Sequence, residues 1–213
     1  MRLSSDVNAH VDGLAAVAFD LGGVVFRYRP ERRLRALARV CGREPDQVRK
    51  ALMDSGYSRS CDAGRLAGDA AYREGIRLLG QRISLASFRA HWISAFEPDP
   101  EVVDLVRRLR SRLPVAMLTN NSDMVRSGLE SRYPEVMELF RPRLFSTDTG
   151  FLKPDPRQFR TLLELLGAPP QRVLYVDDEP ACAAAAASLG MESCRFDSAA
   201  ALEGELRARA LIS

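Results

Sequence analysis

Short apolar runs that end in polar residues recur along the chain. The first run extends from Leu14 to Asp20, and later runs extend from Pro114 to Asp123, from Arg143 to Gly150 and from Arg172 to Pro180. A continuous apolar run of this length is typical of a strand buried on both faces of a parallel sheet. Met191 to Phe196 is a weaker candidate for a fifth strand. The pattern therefore predicts a sheet whose strands carry polar side chains at their carboxyl ends.

Helical periodicity separates these runs. The predicted helices begin near Asp99, Ser122, Asp155 and Glu179. Several of them open with Ser or Asp and close on Gly, as helix caps commonly do. Because strand and helix alternate from Pro98 onward, the sequence predicts an α/β fold, a doubly wound parallel sheet with helices on both faces.

Residues 30–97 interrupt this alternation. The segment contains no convincing strand and shows three or four helical patterns, with "SGYSRSCD" at residues 55–62 as a loop between them. We therefore predict a core domain formed by residues 1–29 and 98–213 and an α-helical cap domain formed by residues 30–97. Such an insertion would lie over the carboxyl ends of the strands as a lid.

Size and composition fit one principal globular domain with a small insertion. The chain has 213 residues, of which 46% are hydrophobic and 28% are charged, and a chain of this length buries one sizeable core. The net charge of +3 comes from 31 basic and 28 acidic residues, and the basic residues are scattered where a nucleic-acid interface would need them clustered. We therefore predict no nucleic-acid partner.

Cysteine spacing and hydropathy bear on the cellular compartment. The four cysteines have no CxxC spacing and no histidine at zinc-finger distances, so free thiols in a reducing compartment are expected. The opening "MRLSSDVNAHVDG" lacks the apolar core of a signal peptide, and no apolar window reaches membrane-spanning length. The sequence thus predicts a cytoplasmic protein with no membrane partner.

The strand ends bring charged side chains together. If the strands lie side by side, Asp20, Thr119, Lys153, Asp177 and Asp178 share one cleft at the carboxyl edge of the sheet. Three neighbouring carboxylates are unfavourable unless a cation neutralises them, and an all-oxygen ligand set suits Mg²⁺. Magnesium in turn indicates a phosphate substrate.

Each residue type suits a role in phosphoryl transfer. Asp20 can attack phosphorus as a carboxylate nucleophile and form an aspartyl-phosphate. Thr119 and the amides of Asn120 and Asn121 can donate hydrogen bonds to phosphoryl oxygens, and Lys153 can hold the charge that develops during transfer. These residues are the predicted catalytic and phosphate-binding set.

Four motifs in order resemble those of the haloacid dehalogenase superfamily of phosphohydrolases. They read "FDLGGV", "MLTNN", "GFLKPD" and "YVDDEP", and the resemblance covers essentially the whole chain. The segments "DAGRLAGDAAYREG" and "KPDPRQF" are similar to the subgroup with a small helical cap between the first and second motifs. The resemblance implies a Rossmann-like core, with Thr119, Asn120 and Lys153 at the phosphate.

The same resemblance implies a metal site. Asp20 would be both nucleophile and ligand, the backbone carbonyl of Gly22 a second ligand and Asp178 a third, with Asp177 close by and acting through water. Two positions depart from the family pattern. Gly22 stands where a second Asp commonly protonates the leaving group, and Cys182 stands where relatives often have Asn or Asp. The first departure predicts slow turnover, because general acid or base catalysis is typically worth about 10²- to 10⁴-fold.

Other polar residues have less specific signals. Glu179 and His91 are candidates to replace the missing acid, but a surface or cap-packing role is the better interpretation for both. Tyr57 and Arg59 are weak candidates for substrate contacts. A run of arginines after the first motif is interpreted as a solvated helix face; its members are Arg27, Arg29, Arg32, Arg33 and Arg35.

The sequence therefore predicts a Mg²⁺-dependent phosphohydrolase that acts on a small phosphate monoester, such as a sugar phosphate, through an aspartyl-phosphate on Asp20. The expected partner is a small phosphorylated metabolite, and the chain is expected to be a monomer or a homodimer. One alternative is a catalytically quiet protein that binds a phosphorylated ligand or a protein partner, which Gly22 and Cys182 favour. A lower-ranked alternative is a 2-haloacid dehalogenase, in which Asp20 would attack carbon without a metal.

Overall fold

The computed structural model describes residues 13–213. The polar opening segment, for which the sequence predicts no signal peptide, lies outside the described residues except for Gly13. Within the described residues the strands are β1 (Ala16–Phe19), β2 (Phe26–Tyr28), β3 (Phe96–Pro98), β4 (Val115–Thr119), β5 (Arg143–Phe145), β6 (Val173–Asp177) and β7 (Glu192–Arg195).

Five of these strands form one parallel sheet in the order β5-β4-β1-β6-β7. Strand β1 lies at its centre and pairs in parallel with β4 and β6. All four β1 residues are buried, because a central strand of a parallel sheet is covered on both faces. All five predicted strands are present, so the prediction of a parallel α/β sheet is confirmed.

Alternate residues of the central strands supply two hydrophobic cores. Val17 and Phe19 of β1 point into the larger core, which extends beneath the helices that follow β2. Ala18 points into the smaller core on the opposite face, together with Tyr175 of β6. This alternation is the period-two geometry of a strand. It explains why the sequence of β1 is apolar at every position.

The helices between Tyr28 and Phe96 are α1 (Pro30–Cys41), α2 (Pro45–Arg49), α3 (Tyr57–Asp62), α4 (Gly68–Leu79) and α5 (Leu85–Trp92), with a π-helical turn at Lys50–Asp54 and a 3₁₀ turn at Ile93–Ala95. The remaining helices are α6 (Pro100–Arg110), α7 (Asp123–Arg132), α8 (Pro134–Met137), α9 (Ser146–Thr149), α10 (Pro156–Leu166), α11 (Pro180–Ser188) and α12 (Ala199–Ala208), with a 3₁₀ turn at Pro170–Arg172. Within residues 13–213, no helix combines the length and the hydrophobicity needed to cross a bilayer.

Capping residues explain where two of the core helices begin. Asp99 precedes α6, and its carboxylate accepts a hydrogen bond from the Glu101 amide at 3.2 Å. Asp155 precedes α10 and accepts from the Arg157 amide at 2.9 Å. In both helices a proline occupies the first position, where its missing N–H costs no hydrogen bond.

A short antiparallel ribbon joins the inserted helices to the core. Strand β2 pairs with β3, with Arg27 opposite Glu97. The prediction of a strand-free segment over residues 30–97 is therefore wrong at its end, because Phe96 and Glu97 belong to β3. The prediction of a loop at residues 55–62 is also wrong, because Tyr57–Asp62 forms α3. Helix α3 begins after Gly56, which has φ +81°. Its six residues make fewer than two turns, which is too short for a helical period to show in the sequence.

Candidate active site

The predicted site residues meet in one cavity at the carboxyl edge of the sheet. The cavity has a volume of about 290 Å³. It lies where the chain order of the strands reverses on either side of β1, which is the usual ligand site of an open parallel sheet. All eight predicted residues line it: Asp20, Gly22, Thr119, Asn120, Asn121, Lys153, Asp177 and Asp178.

Asp20 directly follows β1 at the base of this cavity. Its amide donates to the carbonyl of Val176 at 2.9 Å, which extends the pairing with β6 by one residue. Its Oδ1 accepts a hydrogen bond from Nζ of Lys153 at 2.7 Å. Burial raises the pKa of Asp20 to about 6, with a smaller contribution from Asp177, and Lys153 opposes the rise. Because burial favours the neutral form, the Asp20 carboxyl group needs a cation beside it to stay ionised.

Lys153 supplies a buried cation. Its side chain is 3% exposed, and Nζ donates to Asp20, to Asp177 Oδ2 at 2.8 Å and to the Tyr175 hydroxyl at 2.9 Å. Burial lowers its pKa, but the charges of Asp20 and Asp177 outweigh burial and the pKa is raised. Lys153 is therefore a fixed ammonium with all three of its protons directed at oxygen atoms.

Asn120 fixes the backbone of Lys153. Its Oδ1 accepts from the Lys153 amide at 2.7 Å, and its Nδ2 donates to the Lys153 carbonyl at 2.9 Å. Both ends of the carboxamide are thus engaged with protein, so the predicted contact of Asn120 with phosphate is left to its backbone amide. The geometry makes its side chain a support for Lys153.

Thr119 ends β4 and is 1% exposed. Its Oγ1 accepts a hydrogen bond from Nδ2 of Asn121 at 2.8 Å. The hydroxyl proton is then free to be donated toward the cavity that Thr119 lines. Among the described residues, the side chain of Ser122, the predicted cap of α7, makes no capping hydrogen bond.

Tyr175 is a site residue that the sequence does not reveal. It lies inside β6, is fully buried, and its hydroxyl donates to Asp177 Oδ2 while it accepts from Lys153. Its ring packs edge-on against Phe159 at a centroid distance of 5.2 Å. In the sequence Tyr175 is one more apolar position of a buried strand. Only the three-dimensional structure shows its hydroxyl reaching the strand end.

Three carboxylates form a candidate metal site. One oxygen each from Asp20, Asp177 and Asp178 lies within 4.8 Å of the others. Asp177 is also tied to the protein, since its Oδ1 accepts from the Glu179 amide at 2.8 Å. Asp178 is more open to the cavity, and burial raises its pKa. This hard, all-oxygen donor set fits Mg²⁺.

Gly23 makes room for the Asp178 carboxylate. The residue has φ +98°, and a Cβ atom placed on it would lie 2.3 Å from Oδ2 of Asp178. Both the backbone conformation and the close approach therefore require glycine. The loop after β1 and the loop after β6 are thereby packed against each other at the acidic cluster.

The two departures from the motif pattern lie in the cavity wall. Gly22 contributes backbone only, and the rings of Phe96 and Tyr28 stand against it. Cys182 lines the cavity from α11, and burial raises the pKa of its thiol to about 12, so it is a neutral group. Glu179 also lines the cavity, while His91 lies on α5 outside the cavity lining.

The inserted helices contribute charged groups that the sequence analysis missed. Arg33, interpreted there as part of a solvated face, is 4% exposed and lines the cavity. Ser58 and Asp62 line it as well, one helical turn apart on α3. The weak candidates on α3 have other roles, because Tyr57 is buried and donates to the Ala71 carbonyl at 2.8 Å, and Arg59 faces solvent.

Comparisons with known proteins find a matching family model, a relative of similar length and solved structures with the same fold. A family model described as haloacid dehalogenase-like hydrolase matches residues 14–190. The D-ribitol-5-phosphate phosphatase of Bacteroides thetaiotaomicron is 24% identical, over 89% of this chain and 95% of that protein. A solved structure of a HAD family enzyme from the same species, in complex with magnesium and inorganic phosphate, has a TM-score of 0.77 at 20% identity, covering 87% of this chain and 95% of that one.

A second solved structure shows the same fold with different chemistry. The L-2-haloacid dehalogenase of Xanthobacter autotrophicus, with chloropropionic acid covalently bound, has a TM-score of 0.62 at 19% identity and covers 94% of this chain and 85% of that one. At these identities the solved structures establish the fold alone. The chemistry must be argued from the residues in the cavity.

Proposed function

The chain belongs to the haloacid dehalogenase-like hydrolases, and from this premise we propose that it hydrolyses a small phosphate monoester, such as a sugar phosphate, with Mg²⁺ as cofactor. The observation that carries the proposal is the meeting of three carboxylates with a buried lysine in one cavity. The phosphatase activity named for the Bacteroides thetaiotaomicron relative supports the same reaction type.

Asp20 acts as the nucleophile in this proposal. One of its carboxylate oxygens attacks phosphorus, the bond from phosphorus to the ester oxygen breaks, and the leaving alkoxide takes up a proton from solvent water. Water then attacks the same phosphorus, which releases inorganic phosphate and restores the Asp20 carboxylate. The product pair is therefore an alcohol and phosphate, with the aspartyl-phosphate as intermediate.

The acidic cluster would hold the metal. Asp20, Asp178 and the carbonyl of Gly22 are the proposed direct ligands, and Asp177 supports them. When bound, Mg²⁺ would neutralise charge on the carboxylates and the phosphoryl group. Three acids so close together favour a cation between them, in addition to Lys153.

Lys153 and Thr119 stabilise the phosphoryl group in different ways. Lys153 acts through its positive charge, because its three protons are directed at Asp20, Asp177 and Tyr175, and Thr119 acts through a hydrogen bond. The ammonium is oriented by the carbonyl and amide contacts of Asn120 and by the Tyr175 hydroxyl, so it needs no reorganisation as charge develops. Thr119 donates its hydroxyl proton. Asn120 is a positioning residue, because its side chain is engaged with Lys153.

Gly22 limits the rate. The backbone carbonyl of Gly22 can bind the metal as well as that of any residue, but Gly22 has no side chain to protonate an alkoxide. We therefore expect slow turnover for alcohol leaving groups and faster turnover for activated aryl phosphates, whose leaving groups need no proton.

The helices between β2 and β3 form the proposed cap domain. They place Arg33, Ser58 and Asp62 opposite the core residues, as a lid that admits a small molecule.

The described cysteines are all free and buried, which supports the proposed cytoplasmic location.

The test is hydrolysis of an activated aryl phosphate with and without Mg²⁺. Wild type should turn over only with the metal, and Asp20→Asn should lose more than about 10³-fold in kcat. Isothermal titration of Mg²⁺ into both proteins checks that the acidic cluster binds the ion.

Three results would contradict the proposal. The first is a wild type that binds neither Mg²⁺ nor phosphate and is inert toward the aryl ester. The second is metal-independent release of halide from 2-chloropropionate, which would assign Asp20 to attack on carbon. The third is a wild type that binds phosphate and Mg²⁺ without turnover, which would identify a binding protein.

A further inference from the structure

The cap side of the cavity carries polar groups that the phosphoryl chemistry does not use. Arg33 reaches it from α1, and Ser58 and Asp62 reach it from α3. They face the side where the alcohol portion of a substrate must lie, because the phosphoryl group is held by core residues. These groups therefore bear on which alcohol the protein accepts.

Arg33 is a buried cation in a fixed orientation. Its Nε donates to the Trp92 carbonyl at 2.7 Å, and the guanidinium carbon lies 4.3 Å from the centroid of the Trp92 ring and 5.6 Å from that of Phe96. Burial lowers its pKa. Within the described residues, Nε is the only nitrogen of this guanidinium with a hydrogen-bond partner. The other two nitrogens keep their protons for a group in the cavity.

Asp62 offers acceptors to the same space. Its main chain is fixed, since the carbonyl accepts a hydrogen bond from the Ser146 hydroxyl of the core. Burial raises the pKa of its carboxyl to about 7, against the opposing effects of Arg33, Ser58 and the Ser122 amide. In the part of the chain that the structure describes, no ion pair within 4.0 Å joins Arg33 to Asp62. The guanidinium and the carboxyl group are thus separated within one cavity.

We propose that Arg33 and Asp62 bind the hydroxyl groups of a neutral, polyhydroxylated leaving group, so that the preferred substrate is the phosphate ester of a polyol or sugar. The proposal rests on the proposed phosphatase function and names its substrate class. A hydroxyl group accepts a hydrogen bond from the guanidinium through its oxygen and donates one to the carboxylate. It therefore satisfies both partners at once.

Other leaving groups satisfy this pair less well. An alkyl chain would leave the buried donors of Arg33 without partners, which is costly. A carboxylate would pair with Arg33 but would face Asp62 and the acids of the core. Sites built to hydrogen-bond a substrate hydroxyl reject analogues that lack it by as much as about 10⁴-fold or more.

The experiment compares two esters of equal chain length. A pentitol 5-phosphate and pentyl phosphate are assayed with Mg²⁺ alongside an activated aryl phosphate, using wild type, Arg33→Met and Asp62→Asn. Wild type should prefer the pentitol ester by more than about 100-fold in kcat/KM. Arg33→Met and Asp62→Asn should each lose most of that preference and retain hydrolysis of the aryl ester. Arg59→Met, an exposed arginine on the same helix as Asp62, is the matched control and should keep the preference.

Several results would overturn the inference. Equal rates on the two five-carbon esters would do so while the aryl phosphate still reports a working phosphatase. A preference for a carboxylated phosphate ester that Arg33→Met abolishes would make the partner an anion. If Arg33→Met loses activity equally on all three substrates, the role of Arg33 is structural. The preference of Asp62→Asn for the pentitol ester over the pentyl ester then decides whether the inference holds.

A binding measurement covers the case in which no ester is hydrolysed. Calorimetry with Asp20→Asn compares the dissociation constants of the pentitol and pentyl esters. Tighter binding of the pentitol ester supports the inference even if the hydrolytic function fails. Equal binding overturns it.

Discussion

The ring of Phe96 stands against the backbone of Gly22. A Cβ atom at position 22 would lie 3.2 Å from Cε1 of Phe96, closer than the usual carbon contact of about 3.5–4.0 Å. The φ angle of Gly22 lies outside the left-handed region that requires glycine. A side chain therefore fits the backbone there if the aromatic ring moves by a few tenths of an ångström.

Gly22→Asp should restore the missing proton donor. We expect kcat for an alkyl phosphate to rise by about 10²-fold, with little gain for an activated aryl phosphate, because only the alkoxide needs protonation. The isosteric Gly22→Asn is the matched control and should give no such gain. Steady-state rates for both esters check the prediction. An equal gain in the Asn variant would show that the missing acid is not what limits turnover.

Gly23→Ala should weaken Mg²⁺ binding. The added methyl group would displace the carboxylate of Asp178, and loss of support for a metal ligand typically costs about 10- to 100-fold in affinity. Gly167→Ala is the control, since Gly167 also has positive φ (+60°) but its Cβ would meet no described atom within 4 Å. Both variants should lose about 1 kcal/mol of stability from backbone strain. Titration calorimetry should show weakened binding in Gly23→Ala alone, and unchanged affinity there would refute the role of Gly23.

Tyr175→Phe should lower the free energy of unfolding by about 1–3 kcal/mol, because Asp177 loses a buried donor. Activity should fall by only about tenfold, since Lys153 keeps both carboxylate partners. Tyr133→Phe removes a hydroxyl whose only hydrogen-bond partner among the described residues is the exposed Arg132, and it should change stability by less than about 0.5 kcal/mol. Denaturant unfolding of the two variants tests this difference. Equal losses would mean that the Tyr175 hydroxyl is not specially placed.

Asp62 should make stability depend on pH. Its carboxyl pKa is raised from 3.8 to about 7, chiefly by burial, so the folded protein holds this proton more tightly than the unfolded chain. The contribution of Asp62 to stability is therefore fully present below pH 3.8 and is lost as the pH rises from 3.8 to about 7. Asp62→Asn, which cannot ionise, should gain stability relative to wild type as the pH increases across this window.

Denaturant unfolding in EDTA, repeated across that pH window, measures the effect. The exposed Asp69→Asn on α4 removes a carboxylate at the surface and is the control variant. A stability difference between Asp62→Asn and wild type that does not change with pH would show that the Asp62 carboxyl is not buried as described.

The sequence predicted the core of the site because strand ends have a local signature. Asp20, Thr119 and Asp177 each terminate an apolar run, and parallel strands bring such termini to one edge. Tyr175 lacks that signature, since its hydroxyl acts from inside a strand whose pattern is apolar throughout. Its role depends on the distance to Lys153, which no spacing in the sequence encodes.

The cap residues were missed for a different reason. Arg33 has charged neighbours on α1, and its burial results from the packing of Trp92 and Phe96, which are more than fifty positions away in the chain. Asp62 lies in a helix of only six residues, too short for a periodic pattern. Long-range packing decides which face of each helix turns toward the core.

The pairing of β2 with β3 brings the two ends of the inserted helical segment together. The backbone amide of Arg29 donates to the Ala95 carbonyl at 2.8 Å, so the two ends of the insertion are neighbours. A hairpin turn of two residues is enough to connect strands that lie side by side. A cap from a relative can therefore be spliced in at these two points without altering the order or register of the five core strands. Replacing this one contiguous segment would change the residues that face the cavity from the inserted helices, Arg33 and Asp62 among them, while Asp20, Lys153 and the acidic cluster stay in place.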